Sequence, residues 1–128
     1  MTKIVITLTL IIIATNAYAE WAIYSTTKGG VLFYDKHTIR RNGDKVKVWE
    51  YVNYNLEGET DPDLLKYSSQ RALTEIDCIN ETYTTLDSDL YSKPDLEGDY
   101  KKLGSDNEKK YIVPNSTFAK LMKLTCKK

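Results

Sequence analysis

"VKVWEYVNY", Val46 to Tyr54, alternates with period two, and both of its phases carry apolar or aromatic groups. Val46, Val48, Val52 and Tyr54 stand on one side, Trp49 and Tyr51 on the other. Alternation of this kind marks a β-strand, whose successive side chains point to opposite faces of a sheet. A strand on an ordinary half-solvated sheet needs only one apolar face. This one therefore lies in a sheet covered on both sides, or it offers aromatic surface to a partner.

Working outward, "RRNGD" (Arg40–Asp44) holds the Asn42-Gly43 pair that favours a tight hairpin. "VLFYDKHTI" (Val31–Ile39) reads as the strand before that turn, and "WAIYSTT" (Trp21–Thr27) as a first strand that turns through "KGG". Strands joined in succession by short turns make an antiparallel meander. "LEGETDPD" (Leu56–Asp63) breaks the pattern as a loop. "YSSQRALTEIDCIN" (Tyr67–Asn80) resumes it, with Ala72, Thr74, Ile76 and Cys78 inward and Arg71, Glu75 and Asp77 outward. "TYTTLDSDLYS" (Thr82–Ser92) supplies a further strand, and the polar stretch Lys93–Lys110, with Pro94, Gly98 and Gly104, reads as a long surface loop.

The period changes at the end. After "YIVPN", the segment "STFAKLMKLTC" puts Phe118, Leu121, Met122 and Thr125 at helical spacing, with Asn115 or Ser116 as the cap. Lys120, Lys123, Lys127 and Lys128 lie mainly on the wet side, a solvated face. The fold class is α+β: an antiparallel sheet of about five to six strands with a C-terminal helix packed on one face. One short helix cannot cover both faces. Trp49 and Tyr51 are accordingly the candidate binding face, unless the Lys93–Lys110 loop folds across them.

The first residues bear on the compartment. Lys3, the apolar block "IVITLTLIIIA" and "NAYA" match a secretory signal peptide over residues 1–19, with cleavage between Ala19 and Glu20. The block is too short to span a bilayer, and no membrane span is expected once it is removed. Residues 20–128 then form a single domain, which buries roughly two-thirds of the surface of its unfolded chain. No cysteine follows the cut, so no lipid attachment is expected there. Lys plus Arg equals Asp plus Glu at 18 each, and that balance argues against a nucleic-acid partner, which requires a basic surplus.

Cys78 and Cys126 are the two cysteines. In an oxidising compartment a lone even pair reads as a disulfide, and closing so long a loop contributes on the order of 4 kcal/mol in the chain-entropy model. The bridge pins the last turn of the helix onto the inner face of the fourth strand. Metal ligation would need clustered Cys and His, and His37 is the single histidine. That histidine also stands without the partners of a hydrolase triad. Glu50 with Glu75 or Asp77 would suit an acid and base pair, but charges on antiparallel strands ordinarily pair with exposed Lys or Arg across the ladder. The acidic run Glu57, Glu59, Asp61 and Asp63 lacks the loop plan of a calcium hand. No catalytic residue, metal or cofactor is expected.

"W-x-I-Y" after the leader, "FYDKHTIRRNGDKVKVW", "S-x-x-x-L-x-E-I-D-C", and "I-V-P-x-S" leading into a helix that ends in Cys together resemble the surface-adhesin protein E family of Gram-negative bacteria. The resemblance covers nearly the whole chain after the leader. It implies an antiparallel sheet with a C-terminal helix tethered to its concave side by Cys78 and Cys126. It also implies an adhesin-like binding module, non-enzymatic and exported to the periplasm, the cell surface or the medium. Its expected partner is a host extracellular-matrix or serum protein, with a homodimer in prospect. The competing expectation is a periplasmic inhibitor or immunity-type protein that occludes a bacterial enzyme.

Overall fold

Strand β4 (Lys45–Tyr54) is the axis of the molecule. The computed structural model describes residues 20–127 together with Thr7 and Thr9, and the expected leader ending at Ala19 otherwise lies outside the described residues. On one edge β4 is served by two partners in turn. Strand β2 (Gly30–Asp35) pairs with its second half and β3 (Arg40–Asn42) with its first, in registers such as Phe33 opposite Tyr51 and Arg41 opposite Val46. Strand β1 (Trp21–Thr27) lies outside β2, and on the other edge follow β5 (Ser69–Asp77), β6 (Thr82–Lys93) and β7 (Glu97–Lys102). The two-residue strand β8 (Lys110–Tyr111) joins the start of β6. All the pairings are antiparallel.

This is the expected antiparallel sheet with a C-terminal helix, though with eight strands. Two expectations change in detail. The second strand ends at Asp35, because its carboxylate accepts the His37 N–H at 2.9 Å and turns Lys36–Thr38 into a 3-10 turn. The stretch Lys93–Lys110 is not one long loop: it opens with a 3-10 turn at Pro94–Leu96 and then adds β7 at the edge of the sheet.

Helix α1 (Thr117–Thr125) is capped by Ser116, whose hydroxyl accepts the Ala119 N–H. Its Leu121 is fully buried against Val48, Ile76 and Ile112, with Val46 buried beside them, and Phe118 stacks on Tyr83 from β6 at 3.9 Å. Each residue of that cluster removes apolar surface from water at about 25 cal/mol per Å2. The far end of the helix is held twice. Cys126 is bonded to Cys78 just beyond β5, with 5.8 Å between their Cα atoms, and the Arg41 guanidinium donates to the carbonyls of Thr125 and Lys127 at 3.1 and 2.8 Å. The Thr125 carbonyl is among the groups a helix end leaves unpaired. No helix among the described residues is long and apolar enough to cross a membrane.

Candidate protein-binding face

The side of the sheet away from the helix is where the second phase of β4 points. Tyr51 is not an open surface residue there: it is 6% exposed. Register explains why. Phe33, directly opposite on β2, stacks on its ring at 4.4 Å, and Trp21 from β1 meets it edge-on at 4.7 Å. The turn Pro94–Leu96 closes the remaining side. Asp95 accepts the Tyr51 hydroxyl at 3.2 Å and the Asn53 amide at 2.7 Å, while its own N–H donates to Asn53 at 2.8 Å. The turn is also tied to β5, since Ser69 donates to the Lys93 carbonyl and accepts the Leu96 N–H. Burial, reinforced by the Asp95 charge, pushes the Tyr51 phenol up to about 12. Tyr51 is therefore a core residue of this face, and the start of the Lys93–Lys110 stretch is what roofs it.

Trp49 stands differently. It is half-buried, with the Arg71 guanidinium 4.8 Å above its ring. Arg71 is in turn fixed by Asp89 on β6, 5% exposed, through a 2.6 Å charge-assisted bond. Between Trp49 and Trp21 lies a recess of about 190 Å3, lined also by Asp35, Thr38 and Arg71. The Arg71 Nε beside it is buried without a hydrogen-bond partner among the described residues. The sequence alone does not single out Trp21 and Arg71 as part of this face. Their signal lies in the pairing register, which sets Tyr51 against Phe33 on one side and Arg71 on the other.

The remaining sequence candidates separate. Glu50 lies on the helix-bearing face and Glu75 on the opposite one, where it pairs with Lys45 at 3.9 Å, so the two share no site. His37 meets only Glu20 among ionisable partners described, at 2.8 Å and in the open, which holds the Glu20 carboxyl below its ordinary value. In the acidic run, Glu59 and Asp61 accept neighbouring backbone N–H groups and Asp63 pairs with Lys66, so these acids shape their own loop. Among the described residues no group of three or more His, Cys, Asp or Glu is placed to hold a metal ion.

The family model described as surface-adhesin protein E matches residues 21–127. The chain belongs to that family. Among solved structures it is similar to protein E of Haemophilus influenzae. One structure of that protein matches with a TM-score of 0.63 at 16% identity, over 88% of this chain and 87% of that one. A second crystal form gives 0.64 at 16% identity, over 88% and 91%. Protein E from non-typeable Haemophilus influenzae gives 0.59 at 16% identity, over 88% and 78%. At that identity the likeness establishes the fold alone, and in this chain the Cys78–Cys126 bridge tethers the helix. No curated protein matches the chain in sequence. Family membership makes this an adhesin-like binding module, and gives the competing inhibitor or immunity-type role no support.

Proposed function

We propose that this chain is an exported, non-enzymatic adhesin that docks a protein partner on the face formed by Trp21, Trp49 and Arg71. The observation that carries the proposal is the recess of about 190 Å3 between the two tryptophans, with a guanidinium held over one of them. Tryptophan and arginine are the residue types that dominate binding hot spots. Arg71 is already ordered by Asp89, so little of its side-chain freedom is lost on binding. Membership of a surface-adhesin family supports a host extracellular-matrix or serum protein as the partner and display at the cell surface as the setting. Export removes the leader after Ala19, and Glu20 becomes the first residue.

Trp49→Ala separates this face from a structural role. Cells carrying the parent or the variant are tested on immobilised matrix and serum proteins, and the purified proteins are compared by sedimentation and urea unfolding. The expected result is a loss of about 2 kcal/mol or more in partner binding, with a stability loss well below the roughly 3 to 5 kcal/mol of a truncated core tryptophan. Unchanged binding refutes the assignment. Lost self-association with unchanged host binding gives the face to a second copy instead.

A further inference from the structure

The helix covers only part of its own side of the sheet. Beyond its first turn β2, β4 and β5 leave a cleft of about 350 Å3, lined by Leu32, Val52, Ala72, Phe118 and Glu50. Glu50 is 9% exposed and takes part in none of the ion pairs found among the described residues. The Tyr24 hydroxyl donates to its Oε2 at 3.3 Å, long for an O–H donor. Thr74, diagonal to it across the β4–β5 ladder, sets a second hydroxyl against the same carboxyl. An ionised carboxyl in such a place opposes folding unless a cation meets it. Glutamine would fit the same space without that burden.

We infer that this cleft takes the side chain of a lysine presented by a protein partner, with its ammonium on Glu50 and its stem against Leu32, Val52, Ala72 and Phe118. The site is distinct from the tryptophan face and lies on the other side of the sheet. Charge complementarity selects a cation, because Glu50 is the one carboxylate lining the cleft and no Lys, Arg or His among the described residues lines it. A calcium-type ion requires several oxygen ligands at once, and a single carboxylate does not supply them. Arginine favours a carboxylate with both oxygens free for its fork, and one oxygen of Glu50 is engaged by Tyr24. Lysine brings a compact charge on a flexible apolar stem, which matches a polar end inside apolar walls.

The test is a titration of the isotope-labelled protein with Nα-acetyl-lysine N-methylamide, followed by amide NMR. It is run at pH 8, above the value of about 7 to which burial raises the Glu50 carboxyl. The matching norleucine compound, which has the stem without the ammonium, is the control. Saturable shifts at Leu32, Val52, Ala72 and Phe118 are expected, with the norleucine compound at least tenfold weaker. Glu50→Gln should weaken lysine binding at least tenfold, and so should Ala72→Leu, which fills the cleft from β5 and leaves the carboxyl in place. Absence of saturable shifts overturns the inference, as does equal binding of the norleucine compound or unchanged binding by Glu50→Gln. Should Glu50→Gln fail to fold, unchanged binding by Ala72→Leu overturns it on its own.

Discussion

Replacing Glu50 with glutamine should stabilise the protein above neutral pH, and the size of the gain follows from the surroundings of the carboxyl. Glu50 sits opposite Tyr34 on one side and Ala72 on the other, buried and without an ion-pair partner among the described residues. Burial raises it from an ordinary 4.5 to about 7, against the pull of the Tyr24 and Thr74 hydroxyls. The folded state thus holds this proton more tightly than the unfolded chain does. Between pH 4.5 and 7 the folded protein carries the extra proton, so the Glu50 contribution is fully present below 4.5, declines as pH rises, and is gone above 7. At about 1.4 kcal/mol per pH unit the loss is on the order of 3 kcal/mol. Other acids act in the opposite sense, since Asp77 and Asp106 are held below their ordinary values by their hydrogen bonds. Urea unfolding of parent and variant from pH 4 to 8.5 removes those shared effects by difference. The stability of Glu50→Gln relative to the parent should climb between pH 4.5 and 7 and then level off. A flat difference, or one that falls with pH, would show that the carboxyl is not desolvated as described.

The other expectations concern how the faces are held. Cys126→Ser opens a bridge spanning 48 positions and should lower stability by about 2 to 4 kcal/mol in urea unfolding; a loss under about 1 kcal/mol would mean that Arg41 and the packing of Leu121 hold the helix alone. Asp95→Ala strands the part-buried Tyr51 hydroxyl beneath the Pro94–Leu96 turn and releases the exposed Asn53 amide to water. It should cost about 1 to 3 kcal/mol and speed proteolysis at that turn, and unchanged cleavage there would count against the turn as a roof.

How far the sequence could be read depended on whether a feature is local. The double-phased alternation of Val46–Tyr54, the hairpin at Asn42-Gly43 and the stripe of Phe118, Leu121, Met122 and Thr125 are each set by neighbours in the chain, and each became the element expected. The hairpin turns on Gly43 and Asp44, while Asn42 ends β3 opposite Lys45. Strand β7 escaped because Glu97–Lys102 has no buried face: every residue in it is exposed, and only backbone pairing with β6 makes it a strand. Polar composition without an apolar phase reads as loop. The burial of Tyr51 escaped for a different reason. Its cover comes from Trp21, Phe33 and Asp95, which are brought together by register and by a turn 44 positions away.

Length explains why each face of the sheet ends up partly open. A nine-residue helix such as α1 is about 14 Å long, whereas a ten-residue strand such as β4 runs about 33 Å. Whatever its direction, α1 cannot shield all of β4. Anchored by Cys126 and Arg41, it settles over Val48 and Ile76 and leaves the end of the face that holds Leu32, Glu50 and Val52 to the cleft. On the opposite side the short Pro94–Leu96 turn reaches Tyr51 and Asn53 but not Trp49, which has Arg71 as its cover. Each cover is smaller than the strand beneath it. The groups at the gaps, Glu50 in its cleft on one side and the half-buried Trp49 and Trp21 at their recess on the other, are a carboxyl and two indoles, and they are suited to partners of different chemistry.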